Sequence, residues 1–213
     1  MGTRVLKDIL DAVAEGVFPA PDGTLTVVPQ TDARDAGILA FTAHTVVVTD
    51  EPEEWVRQTL AAVDCDRFAA PMNARFLTAF MDRTGRTHET IDLVTVAPAL
   101  PGPPPVALRE IRDRAHPRVA RALAHRDDVR VWEADGGVLT LGRGLGGRLE
   151  ASVEVDEEVR HRGLGRQLAL SARHLAPEGY VWAQQSPGNA RSVRVFQAAG
   201  YRAVGSEALM LAL

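Results

Sequence analysis

Val153-Glu-Val-Asp-Glu-Glu-Val-Arg160-His-Arg-Gly163-Leu-Gly165-Arg166 joins alternating β-formers to a segment in which Leu164, Leu168, Ala172 and Leu175 trace one helix face. A strand therefore ends and a helix begins within Arg160–Arg166. Gly163 and Gly165 allow the backbone to approach a ligand without Cβ atoms in the way. The first-turn amides of such a helix lack intrahelical partners and carry partial positive charge, which suits a pyrophosphate. Arg162 and Arg166 add charge-assisted contacts. Arg and Gly are so common in this chain that R-x-x-G-x-G alone carries little weight; its neighbours must support it.

Those neighbours follow in order. Tyr180-Val-Trp-Ala-Gln184 reads as a strand and Ala190–Ala199 as a helix. Asn189 stands where a side chain caps that helix, with its amide able to reach an extended ligand between the two strands. Gly200 is placed as a helix C-cap, and Tyr201 returns an aromatic to the core. Upstream, Val129–Glu133 and Val138–Leu141 flank Asp135-Gly136-Gly137, a hairpin signal, and Leu149–Val155 is a third strand. Val106–Arg126 has helical period, broken near His116-Pro117. Ala208–Leu213 reads as a closing strand. The resulting order is a mixed-sheet α/β layer fold.

These residues resemble the GNAT superfamily, the general-control-related N-acetyltransferases, over about the last hundred residues. Val153–Arg166 is similar to the coenzyme A-binding signature, and Gly188-Asn-Ala-Arg-Ser-Val-Arg-Val-Phe-Gln-Ala-Ala-Gly-Tyr201 to the later motif. The resemblance implies a splayed sheet and acetyl-coenzyme A as co-substrate. It implies pantetheine pairing along Val153 to Val155, and pyrophosphate on the backbone of Arg160, His161, Arg162, Gly163, Leu164, Gly165 and Arg166. It further implies that Asn189 contacts the pantetheine arm, with Ser192 or Arg191 near it. The later motif usually holds a tyrosine, often the general acid, where this chain has Phe196. Another group or water then protonates the sulfur, or no dedicated acid is used, or this copy does not catalyse. Glu150 lies close to where some members hold a catalytic glutamate and is the candidate general base; Glu154 shares its parity and Glu133 lies on a neighbouring strand.

The N-terminal part is less specific. Val5, Ile9, Leu10 and Val13 fit a helix face, Thr24–Val28 and Gly37–Val48 are strand-like, and Asp50 precedes a helix start at Trp55. Asn73–Arg83 reads as a helix and Ile91–Val96 as a strand. Pro101-Gly-Pro-Pro-Pro105 reads as an extended connection, giving residues 1–98 as a smaller α/β region and 99–213 as the acetyl-coenzyme A-binding core. By exclusion, the first part shapes the acceptor pocket or a homodimer interface.

Composition sets limits. A net charge of −4 and pI near 5.9 argue against general nucleic-acid binding. Lys7 is the only lysine, a bias that reflects overall composition and not site chemistry. The sequence has no apolar run of membrane-spanning length, no signal-peptide block, and Leu at position 6 where a myristoylation pattern fails, so the default location is the cytoplasm. One cysteine, Cys65, excludes an internal disulfide, and six scattered histidines show no metal-ligand spacing. Gly142-Arg-Gly-Leu-Gly-Gly147 matches a dinucleotide fingerprint literally but precedes a strand, so it reads as a turn. Three functions fit: acetyl transfer to a primary amine of a small molecule or peptide by direct attack in a ternary complex; transfer of another acyl group; or a non-catalytic acyl-coenzyme A sensor or assembly module.

Overall fold

The computed structural model describes residues 2–212, with side chains for all of these except residues 2–4 and 118. Two compact units emerge, Met1–Leu93 with Val204–Leu213, and Val94–Ala203. In chain order the elements are α1 (Gly2–Ala14), β1 (Thr24–Val28), β2 (Asp35–Phe41), β3 (His44–Val48), α2 (Glu53–Ala61), α3 (Ala74–Thr84), β4 (Arg86–Thr87) and β5 (Ile91–Pro98). There follow β6 (Arg109–Ile111), α4 (Pro117–His125), β7 (Asp127–Ala134), β8 (Gly137–Arg143), β9 (Leu149–Val155), α5 (Leu164–Leu175), β10 (Tyr180–Gln185), α6 (Ala190–Ala198) and β11 (Arg202–Ala212). The fold is mixed α/β. No helix among the described residues is long and apolar enough to cross a membrane.

In the first unit β1 runs parallel to β3, β3 antiparallel to β2, and β2 antiparallel to β11, from Ala40 opposite Ser206 to Asp35 opposite Leu211. Helix α3 starts where the Asn73 side chain accepts a hydrogen bond from the Arg75 amide and ends at Gly85 (φ 64°), a left-handed stop. Its inward face places Phe76, Leu77 and Phe80 against Ile38, Val47, Ala208 and Met210. In α1 the buried stripe is Leu6, Leu10, Val13 and Ala14, and Val5 is exposed; the stripe is turned by about one residue from the expected one.

The second unit orders its strands β5-β10-β9-β8-β7-β6. Strands β6 to β9 are antiparallel, whereas β9 and β10 are parallel. Helix α5 packs on the face of Ala151, Val153 and Val155, where Leu168 occupies the space that a Cβ on Gly137 would need. Helix α4 covers a different part of the unit, with Val119 and Ala122 on Val131. Phe196, Tyr201, Leu139, Leu141 and Val181 complete the main core.

The structure differs from the sequence reading in three places. Val106–Arg126 is not one broken helix: Arg109–Ile111 pairs with β7, and the helix starts only at Pro117, a residue suited to a helix's first position. The proline-rich segment is held by the second unit and is not a free connection. The Ala99 amide donates to the Gly179 carbonyl and the Leu100 amide to the Arg173 carbonyl, each at 2.8 Å, and His174 Nδ1 lies 3.0 Å from the Pro101 carbonyl oxygen. Finally, the units part at residues 93/94 and 203/204, whereas the sequence suggests a single boundary at 98/99. The closing strand begins at Arg202, six residues earlier than its apolar pattern indicates; Leu213, its expected last residue, lies outside the described residues.

Candidate functional site

Between β9 and α5 the chain makes a short 3-10 turn, Glu157–Val159, and then takes positive φ at His161 (67°) and Gly163 (86°). Gly163 precedes α5 in left-handed conformation with no side-chain cap, and a Cβ there would meet nothing within 4 Å. The amides of Leu164, Gly165 and Arg166 thus open the helix without intrahelical acceptors; the first bond of the ladder is Gln167 N–H to the Gly163 carbonyl, 3.2 Å. His161 and Arg162 are exposed. Arg160 is folded back, its Nε donating to the Val155 carbonyl at 3.3 Å, with Nη1 3.4 Å from Glu157 Oε1. Arg166 Nε donates to the Ala198 carbonyl at 3.1 Å, tying the start of α5 to the end of α6.

The two glycines of the motif have different work. A Cβ on Gly165 would stand 3.5 Å from Val195 Cγ2 and 3.6 Å from Val155 Cγ2, turned into the packing. Gly163 is the position whose missing side chain keeps the approach open; Gly165 allows close packing inside. This corrects the expectation that both clear the way for a ligand.

Strands β9 and β10 share one register pair, Glu150 opposite Trp182, and part beyond it. Among the described residues, Val153 and Val155 therefore lie on a stretch of β9 that pairs with β8 on one side and with no further β10 residue on the other. Asn189 sits at the head of α6, its Oδ1 accepting from the Ser192 amide at 3.1 Å. The cap engages the oxygen, so the Asn189 amide nitrogen can serve a ligand. Ser192 is half-buried and Arg191 exposed. Phe196 is buried and packs edge-on to Tyr201, ring centroids 4.9 Å apart. The Tyr201 hydroxyl donates to the Ala169 carbonyl at 3.2 Å, and burial pushes its pKa well above the ordinary tyrosine range.

Glu150, at the fork, is surrounded by donors. Arg126 Nε reaches Oε2 at 2.8 Å; Arg148 Nε and Gln184 Nε2 reach Oε1 at 2.8 and 2.7 Å. Only 6% of the Glu150 side chain and 2% of that of Arg148 are exposed. Arg148 also lies over Trp182, its Cζ 5.5 Å from the ring centroid. Burial pushes the Glu150 carboxyl up, but the Arg148 and Arg126 guanidiniums together outweigh it and hold the pKa at about 2. A carboxylate so held is a poor proton acceptor near neutral pH. In this structure Glu150 is engaged with Arg126, Arg148 and Gln184. Glu154 and Glu133 lie on β9 and β7 of the same sheet.

Arg126, Arg148 and Gln184 were not singled out by the sequence. Arg126 looked like the end of a long helix. Arg148-x-Glu150 carries the period of a strand face, but nothing marked that face as buried. The available signal was the glycine-rich turn. Gly142 is opposite Glu150 in the β8–β9 ladder, and a Cβ on it would meet Arg126 Cβ at 2.8 Å. A Cβ on Gly144 would stand 2.3 Å from Glu150 Oε1. Among the described residues no group of three His, Cys, Asp or Glu is arranged to hold a metal ion.

Residues 143–209 match the family model described as FR47-like protein. No curated protein matches. Among solved structures, a GCN5-related N-acetyltransferase from Kribbella flavida is similar at 15% identity and TM-score 0.40, over 64% of this chain and 63% of that one. Another GCN5-related N-acetyltransferase, from Sphaerobacter thermophilus, aligns at 13% identity and TM-score 0.39, over 64% and 56%. A functionally unknown conserved protein from Staphylococcus epidermidis aligns at 15% identity and TM-score 0.43, over 66% and 67%. The first two structures are thus matched over less than two thirds of their own lengths. The matched segment holds Glu150, the entry to α5 and the Asn189 cap, and it supports the resemblance of the C-terminal part of this chain to the GNAT superfamily.

Proposed function

We propose that the second unit binds acetyl-coenzyme A and transfers its acetyl group to a primary amine of a small molecule or peptide. The observation that carries this reading is the fork: β9 and β10 part at Glu150 and Trp182, and the chain leaving β9 leads into the uncapped amides of α5. An extended pantetheine arm matches an unpaired strand edge at Val153–Val155, and a pyrophosphate matches the Arg160–Arg166 backbone. Asn189 and Ser192 flank the arm from α6. The bound co-substrate supplies a thioester carbonyl with a thiolate leaving group. The chain supplies orientation, an open approach at Gly163 and a fixed polar floor at Glu150. Neither Phe196, which has no proton to give, nor Tyr201, whose hydroxyl donates to the Ala169 carbonyl, serves as the acid. The amine enters as the free base, and the proton it loses as the amide forms passes through water to the departing thiolate.

The engaged state of Glu150 and the buried Phe196 favour a second reading, a sensor that binds acyl-coenzyme A without turnover. Calorimetry with acetyl-coenzyme A, followed by thiol release against an amine panel, separates the two. Binding with release is the expected result. Binding without release across broad acceptors leaves the sensor, and no binding refutes both.

A further inference from the structure

We infer that Arg126 is a carboxylate-binding residue on the acceptor side, so that the amine acceptor carries a carboxylate; this rests on the acyl-transfer reading for its function, although not for its binding test. Along β9 the side chains alternate. Ala151, Val153 and Val155 pack with α5, while Glu150 and Ser152 share the other face. Arg126 leaves the end of α4 and lies along that second face, with Nε on Glu150 and Nη1 donating to Ser152 Oγ at 3.1 Å. It therefore spans the point at which β9 and β10 part.

The arrangement is built. Gly142 and Gly144 leave the space that Arg126 and the Glu150 carboxylate occupy. Buried ion pairs rarely repay their desolvation, so one fitted this closely is weak as a stability device and better explained by what it positions. Of the five N–H donors of a guanidinium, Arg126 uses one at Nε and one at Nη1 on protein partners. Its side chain keeps 16% exposure, against 2% for Arg148, so it is the arginine of the pair that a ligand can reach. A guanidinium pinned through Nε and still offering Nη donors suits a planar carboxylate, which it engages with two parallel bonds. Ser152, exposed beside it, adds a hydroxyl.

The test compares amino acids with their carboxamides as acceptors in the thiol-release assay, on the full chain. The wild type is expected to favour the carboxylate at least about tenfold in kcat/KM, a factor in keeping with a charge-assisted pair. Arg126→Gln is expected to erase that preference while acetyl-coenzyme A still binds by calorimetry. Equal rates for the two acceptor forms, or a preference that survives in Arg126→Gln, would overturn the assignment. Binding of N-acetylated amino acids, which cannot react, is measured in parallel by chemical-shift titration. Should no thiol be released at all, carboxylate-dependent binding lost in Arg126→Gln still upholds the site, and its absence refutes it. If the glutamine variant does not fold, Arg126→Lys keeps the charge near Glu150 but loses the bidentate edge. It should weaken carboxylate binding several-fold, and unchanged binding would refute the proposal.

Discussion

Glu150→Gln removes the one carboxylate that two guanidiniums and an amide converge upon, without changing the shape of the side chain. Leaving buried arginine charge without that partner is expected to cost about 3–5 kcal/mol, read from urea denaturation at pH 7. The sign of the pH dependence follows from the depressed pKa. The carboxylate's contribution is complete above its ordinary value of 4.5 and is lost as pH falls toward about 2. Wild-type stability should therefore drop across that interval more steeply than that of Glu150→Gln. The glycines facing the pair are equally exacting. Gly144→Ala would place a methyl 2.3 Å from Oε1, and a loss of about 1–3 kcal/mol is expected in the same assay.

At the scale of elements, the entry to α5 separates two glycines that the motif makes look alike. Gly165→Ala meets only ordinary contacts at 3.5–3.6 Å and should leave stability unchanged or raise it by up to about 1 kcal/mol. Gly163→Ala holds an alanine at φ 86° in open space, costing about 1 kcal/mol of stability and weakening acetyl-coenzyme A binding in calorimetry. The sequence made β7 to β10, α5 and α6 legible because each has strong local signals: the Asp135-Gly136-Gly137 turn, the leucine stripe of α5, and Asn189 and Gly200 at the ends of α6. It misread 106–126 because Arg109-Glu-Ile111 is too short for periodicity to separate strand from helix, and only its pairing with Val131–Glu133 decides. The uncapped helix entry at Gly163 could be placed from local chemistry alone. The Arg126–Glu150–Arg148 cluster could not, since it joins a helix end, a turn and two strands whose register no local pattern reveals.

At the scale of the whole molecule, the division into units departs from chain order. Ala208 and Met210, more than 120 positions after Phe76 and Phe80, are fully buried in the same core. Met210→Ala is thus expected to destabilise the first unit by about 2–5 kcal/mol, monitored by near-ultraviolet signals from Trp55. A fragment of residues 99–213, cut at the boundary that the prolines suggest, would expose the apolar face of β11. Aggregation on size-exclusion chromatography is the expected behaviour, in contrast to the intact chain.

The pairing of β2 with β11 also has a consequence for synthesis. Ile38 faces Ala208 across that ladder, and Arg86 Nη1 donates to the Met210 carbonyl, 124 positions further along. A ribosome must therefore translate all of residues 94–203 before the first unit can acquire its last strand. Until then β2 presents an open edge, and residues 24–93, made before the second unit, are completed only after it.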